Sequence, residues 1–261
     1  MTRISVTILT FNEQRRIGAC LESVKELADE IIVVDSMSTD STLDICRRYG
    51  CKISQRAFEG YGAMRQYATS LTTNNYVLSI DADEVVSSDL AREIMRLKSE
   101  GLTHRVYSFN RLNYYCDQPV RHCGLYPDLQ IRLFDKRYAN WNLRDISERV
   151  IFRDSVSPQF IPGELLHYPC LTPDQYHIKQ QRHAMIKARV LATRMDSVAP
   201  FLPYVKAAAG FIDCYLLKGG IFDGAAGRAI SRENALKALT AYSEARRILN
   251  QSRDAGQTVK S

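Results

Sequence analysis

The chain has 261 residues, 45% hydrophobic and 25% charged, with a formal net charge of +6. That is the composition of a globular protein able to bury a large core. No run of about 18 residues lacks a charge, so no membrane-spanning helix is readable, and the apolar run Ile4 to Phe11 meets Asn12, Glu13, Arg15 and Arg16 too soon for a secretory leader. Seven cysteines, an odd number without a Cys-x-x-Cys pair, predict reduced thiols in a cytosolic protein rather than a disulfide framework. Cys116, His122 and Cys123 fit no ordinary zinc spacing. The charge is unevenly placed: residues 1–175 carry 21 Lys+Arg against 23 Asp+Glu, and residues 176–250 carry 12 against 5. A basic back half is either a solvated helical face or a surface drawn to phosphate-rich partners.

In chain order, Ile4–Thr10 reads as a strand, and Glu13–Leu27 as a helix with Asn12 as its N-cap. The continuous apolar run Ile31-Ile32-Val33-Val34 predicts a strand covered on both faces, ending at Asp35. Ser41–Tyr49 is a short helix closed by Gly50, Lys52–Ser54 a short strand, and Gly62–Leu71 a helix. Tyr76–Ile80 is a strand, and Ser88–Lys98 a helix capped by Ser87 or Ser88. This alternation predicts an α/β fold with an open, mostly parallel sheet, whose ligands bind at the carboxyl ends of the strands. Between His104 and Leu166 shorter strand signals follow, at Val106–Phe109, Gln130–Phe134, Val150–Phe152 and Phe160–His167. From Asp174 the pattern is helical: Asp174–Val198, Tyr204–Leu217 and Ala225–Leu249, broken by Pro200, Pro203 and Gly219-Gly220. The last ten residues, small and polar, predict disorder.

The sequence Tyr76-Val77-Leu78-Ser79-Ile80-Asp81-Ala82-Asp83-Glu84 ends a buried strand in carboxylates. If the extended geometry persists, Asp81 and Asp83 point the same way. Such a pair seats a hard divalent cation, which can bridge to a diphosphate. The bland alternative is a helix N-cap or a solvated turn.

Three segments in order carry a more specific signal: Val6-Thr7-Ile8-Leu9-Thr10-Phe11-Asn12-Glu13, Val33-Val34-Asp35-Ser36-Met37-Ser38-Thr39-Asp40, and Ser79-Ile80-Asp81-Ala82-Asp83-Glu84. Together they resemble the family-2 glycosyltransferases of the GT-A fold. The resemblance implies a UDP-sugar donor, a Mg2+ or Mn2+ ion and inversion at the anomeric carbon. It implies that Thr10, Asn12 and Glu13 line the nucleotide pocket, that Asp35 accepts from the uracil ring, and that Arg65 reaches the base or phosphates. Asp81 then lies near the ribose and the metal, and Asp83 ligates the metal directly. Independently of any family, a cation held by carboxylates neutralises the charge growing on a diphosphate leaving group.

Tyr126-Pro127-Asp128-Leu129-Gln130-Ile131-Arg132-Leu133-Phe134 and Lys218-Gly219-Gly220-Ile221-Phe222-Asp223-Gly224-Ala225-Ala226-Gly227 resemble segments of bacterial lipopolysaccharide-core glucosyltransferases. This implies transfer of glucose from UDP-glucose to an inner-core sugar of a lipid-linked saccharide. An inverting reaction needs a general base on the acceptor hydroxyl. Where those relatives carry a His-Glu pair, this chain has Ser147-Glu148, so Glu148 is the candidate base and Asp128 the runner-up. Arg132 is placed near the donor phosphates or the acceptor, and His167 is a candidate phosphate or third metal contact. Each has a structural alternative: a strand-start glutamate paired with Arg144 or Arg149, an edge-strand arginine, a satisfied strand histidine.

The resulting division is a GT-A nucleotide-sugar-binding and catalytic domain at 1–170, a basic amphipathic helical region at 171–250, and a disordered tail at 251–261. The aromatic and apolar residues Phe201, Tyr204, Phe211, Tyr215, Leu216, Leu217, Ile221 and Phe222 among basic helices suit an anionic membrane surface. That predicts a cytoplasmic protein, peripheral on the inner membrane, with no nucleic-acid partner. The rival readings are another UDP-sugar or a polyprenyl-phosphate acceptor, and a non-catalytic membrane-associated scaffold with the same fold.

Overall fold

The computed structural model describes residues 2–143, 148–152 and 157–258. Its first unit comprises residues 1–112 and 128–167, its second residues 113–127 and 168–261.

The first unit is built on four parallel strands, β1 (Ile4–Thr10), β2 (Glu30–Asp35), β3 (Lys52–Gln55) and β4 (Tyr76–Asp81). Their order in space is β3-β2-β1-β4. Right-handed crossovers between parallel strands need helices, supplied by α1 (Ile17–Val24), α2 (Thr42–Arg48) and α3 (Tyr61–Ser70). The run Ile32-Val33-Val34 is apolar throughout because both faces of β2 are covered. Val33 joins a core with Ile8, Leu21 and Leu78, while Ile32 and Val34 pack against Met64 and Ala68 of α3. After β4 come β5 (Glu84–Val86), α4 (Ser88–Glu100), β6 (Val106–Tyr115), β7 (Gln118–Val120), β8 (Leu129–Asp135), β9 (Ala139–Trp141), β10 (Val150–Phe152) and β11 (Gln159–His167). Beyond β4 the sheet continues β8-β6-β11-β5, with β8 antiparallel to β4 and β11 antiparallel to β5. β9 and β10 form a separate antiparallel pair, with Val150 opposite Trp141.

In the second unit, α5 (Pro173–Arg194) and α6 (Leu202–Ile212) pack on the long α7 (Gly224–Thr258). A π-helical turn, Asp213–Leu217, and a 3-10 turn, Gly220–Asp223, join α6 to α7. Residues 113–127 belong to this unit rather than to the first, because Val120 and Cys123 pack with Cys214, Ala226 and Ile230.

Two expectations change and one is narrowed. Asn12 is not a helix cap: its φ of 54° turns the chain, and α1 starts at Ile17 after a turn through residues 14–16. Ser87 does cap α4, accepting from Leu90 N at 3.3 Å. The predicted disordered tail is helical as far as Thr258, because each residue added to a formed helix gains a backbone hydrogen bond without a new nucleation cost.

Candidate active site

Parallel pairing sets Thr10 beside Asp35 and Leu9 beside Asp81, so the loops after β1, β2 and β4 leave one edge of the sheet together. At the β1 and β2 ends, Asp35 is fully buried. Its carboxylate accepts from Ser38 N at 2.8 Å, from Ser38 Oγ, and from Gln55 Nε2 at 3.1 Å. Asn12 closes the same turn: its N donates to Ser38 Oγ and its Oδ1 accepts from Thr39 N, both at 2.8 Å. Glu13 N donates to Thr42 Oγ1 at 2.8 Å, and its carboxylate pairs with Arg16 at 2.6 Å. Burial pushes the Glu13 carboxyl up, with Arg16 drawing it partly back. The Thr10 hydroxyl is buried with no hydrogen-bond partner among the described residues. The residues expected to line a nucleotide pocket therefore converge, and most of their polar groups build the loop itself.

At the β4 end the extended geometry does not persist. Ala82 and Asp83 form a turn between β4 and β5, so the two aspartates part company. Asp81 faces two buried arginines. Arg65 Nη2 donates to both of its oxygens at 2.8 Å, and Arg132 Nη2 approaches Oδ2 at 3.4 Å. Burial alone would raise this carboxyl, but the two guanidiniums hold it well below the usual carboxylate range. Asp83 instead faces His167, with Oδ2 3.5 Å from Nε2. Burial again pushes upward, and the His167 contact outweighs it, leaving the Asp83 carboxyl below its ordinary value. His167 arrives there because β11 pairs with β5, which sets His167 opposite Glu84.

Arg65 is 1% exposed and Arg132 3%, so both are walls of the site rather than surface cations. Arg132 also donates to Glu84 Oε1 at 3.1 Å. Burial works against its charge, and Glu84 and Asp81 more than restore it. Glu84, fully buried, accepts from Asp81 N at 2.9 Å through its other oxygen and pairs with Arg111 at 3.3 Å. Arg111 in turn holds Asp128 at 2.8 Å, and Gln130 Nε2 donates to Asp128 at 2.6 Å. Asp128 is thus engaged in the arginine network. Glu148 has about a quarter of its side chain exposed, lies 3.7 Å from Arg65 Nε, and lines a pocket of about 570 Å³ with Gln130, Ile131, Trp141 and Val150. Ser147, its neighbour in the expected base pair, lies outside the described residues.

Sequence reading missed Glu84, Arg111 and Trp141. Glu84 had a signal, a carboxylate directly before the apolar pair Val85-Val86. Trp141 had only its singularity as the one tryptophan of the chain.

Residues 5–155 match the family described as Glycosyl transferase family 2. The chain belongs to the family-2 glycosyl transferases. Among relatives, an uncharacterised glycosyltransferase of Rickettsia prowazekii is 34% identical over 228 residues, covering 83% of this chain and 76% of that protein. The lipopolysaccharide core biosynthesis glycosyltransferase LpsC of Rhizobium meliloti is 26% identical, covering 71% of this chain and 70% of that protein. For the first relatives matched, the chain spans about half of their length or less, 49% and 33%. Glucosyl-3-phosphoglycerate synthase of Mycobacterium tuberculosis, solved with Mn2+ and UDP, is similar to 43% of this chain and 44% of its own, at 21% identity and a TM-score of 0.36. That likeness is too partial to bear on function.

A divalent cation can be tested against the donors present. Among the described residues no three His, Cys, Asp or Glu side chains converge into a ready-made cage. Asp83 and His167 supply one carboxylate and one imidazole at a single point. The Asp83 carboxylate fits Mg2+ or Mn2+, which are held through one or two carboxylates and complete their shell with substrate phosphates and water, and the His167 imidazole, a softer donor, fits Mn2+ better than Mg2+.

Proposed function

We propose that this family-2 glycosyl transferase is an inverting, metal-dependent hexosyltransferase, moving glucose from UDP-glucose to an inner-core sugar of lipopolysaccharide. The observation that carries the reading is the split of the two aspartates: Asp81 is saturated by arginines, while Asp83 is left with His167 as a two-donor seat. In this reading Asp83 and His167 hold the cation, which, when bound, neutralises charge on the departing diphosphate. The edge formed by Thr10, Asn12, Glu13 and Asp35 receives the nucleoside. Contact of the uracil with Asp35 requires exchange of the Gln55 or Ser38 bond, a cost that selects for a ligand offering an equal donor. Arg65 and Arg132 act indirectly, keeping Asp81 ionised and oriented rather than reaching phosphate themselves. Glu148 is the base that takes the acceptor hydroxyl proton, because it borders an open pocket and its ion-pair contact with Arg65 is long, at 3.7 Å. The lipopolysaccharide acceptor is supported by the 26% identity to LpsC.

The second unit supports a membrane-surface location. Along α6 and the π-helical turn, Phe201, Val205, Ile212 and Leu216 recur at helical spacing and are all exposed, and Leu217 and Phe222 are 77% and 79% exposed. No acidic residue lies between Asp196 and Asp213, and Lys206 is the one cation there. Such a stripe suits shallow insertion into an anionic leaflet. Among the described residues no helix is long and apolar enough to cross a membrane.

The test is a panel of UDP-sugars with Mn2+ or Mg2+, read as thermal stabilisation and as turnover on lipopolysaccharide-core acceptors, in wild type and Asp83→Asn. Donor-dependent stabilisation and turnover, both lost in a variant with unchanged unliganded Tm, are expected. Near-normal turnover of Asp83→Asn sinks the assignment.

A further inference from the structure

Trp141 stands against both arginines that hold Asp81. The guanidinium carbon of Arg65 lies 4.5 Å from the indole centroid and that of Arg132 5.6 Å. The hydrogen bonds of these arginines are incomplete. Among the described residues, Arg65 Nε has no hydrogen-bond partner, the Glu148 carboxylate standing 3.7 Å away, and Arg132 leaves both Nε and Nη1 without one. Buried cationic donors left unsatisfied are costly. The indole face supplies the missing attraction, since a desolvated guanidinium is drawn to the negative face of a tryptophan ring. Hydrogen bonds to Asp81 set one edge of each guanidinium, and the ring blocks rotation about that edge.

The ring is itself held from outside the arginine pair. Phe134 meets it edge-on, with centroids 6.3 Å apart and planes at 78°. The Trp141 carbonyl accepts from Gln66 Nε2 at 2.8 Å, and Gln66 follows Arg65 on α3. β9, which carries Trp141, is thereby tied to the helix that carries Arg65. The same indole lines the pocket that Glu148 borders.

We propose that Trp141 is a positioning residue: through its π face it fixes Arg65 and Arg132, and through them the direction of the Asp81 carboxylate. Its part in catalysis rests on the transferase reading above, while the clamp itself does not. Two substitutions separate geometry from bulk. Phe keeps an aromatic face for the cations, and Leu fills much of the same apolar space without one.

The clamp is tested without ligand by a double-mutant cycle on urea unfolding midpoints, combining Trp141→Leu with Asp81→Asn. Non-additive shifts are expected, because both substitutions act through the same guanidiniums, with the coupling largely retained for Trp141→Phe. Additive shifts, or equal coupling for Phe and Leu, overturn the clamp. The functional arm is UDP binding by calorimetry with Mn2+. Trp141→Leu is expected to weaken it about tenfold, the size of one such contact, and Trp141→Phe to stay near wild type. Equal losses in both variants would assign Trp141 a space-filling role and overturn the proposal. If wild type binds no UDP with any divalent cation, the transferase reading fails, and the unfolding cycle still decides the clamp.

Discussion

Two carboxylates two positions apart differ in chemistry because of what faces them. Asp81 meets Arg65 and Arg132, and Asp83 meets His167. A carboxylate saturated by guanidiniums is a poor proton acceptor, which also separates Glu148 from Asp128. Asp128 is bound by Arg111 and Gln130, whereas Glu148 borders an open pocket. Glu148→Gln is therefore expected to lower kcat by roughly 10²–10⁴-fold while leaving UDP affinity unchanged, and Asp128→Asn to leave more activity than Glu148→Gln. Steady-state kinetics with a calorimetric Kd check both. Glu30 offers a prediction away from the site. It accepts from Ser5 Oγ at 2.5 Å, from Thr73 N at 2.5 Å and from Lys52 Nζ at 2.8 Å, at the opposite end of the sheet. Burial opposes its charge, but these donors pull the carboxyl down from 4.5 to about 2. A lowered folded-state value means that the stabilisation is complete above the unfolded value and is lost as pH falls through the folded one. Glu30→Gln is expected to lower stability by about 2 kcal/mol at neutral pH. The Tm gap between wild type and variant should close between pH 4.5 and about 2.

Elements place these residues through close approaches that only small residues permit. Gly163 on β11 has φ +107°, and a Cβ there would lie 2.5 Å from Leu90 N at the start of α4. This contact seats the strand that delivers His167. In the second unit a Cβ at Gly227 would lie 1.8 Å from the Gly220 carbonyl oxygen, so the segment Lys218 to Gly227 folds back on itself without room for a methyl group. Gly227→Ala is expected to destabilise the protein by about 3 kcal/mol or more, since neither backbone can give way cheaply. Urea midpoints measure it. The parallel core was legible because continuous apolar runs mark strands covered on both faces. The start of α1 was not, because Asn12 is as good an N-cap as it is a left-handed turn residue. Its bond to Thr39, across two loops, decided between them.

For the molecule as a whole, charge and exposed apolar surface coincide in the second unit. Residues 176–250 carry 12 Lys+Arg against 5 Asp+Glu, and the stripe from Phe201 to Phe222 lies within them. Surface attraction should then have an electrostatic and an apolar part. Co-sedimentation with vesicles containing anionic lipid is expected to exceed that with neutral vesicles and to weaken as salt rises. Phe201→Ser, Leu217→Ser and Phe222→Ser together should reduce the part that survives high salt. The order of strands and helices as far as β4, and the placing of Asp35, Asp81 and Asp83 at strand ends, followed from the amino-acid order, because strand and helix periodicity is a local property; the three-residue β5 was too short to show one. The partners of those carboxylates did not. His167 reaches Asp83 by antiparallel pairing of β11 with β5, and Arg65, Arg132 and Trp141 gather at Asp81 from α3, β8 and β9. Which strand lies beside which depends on packing between distant segments, and no local pattern of residues records it.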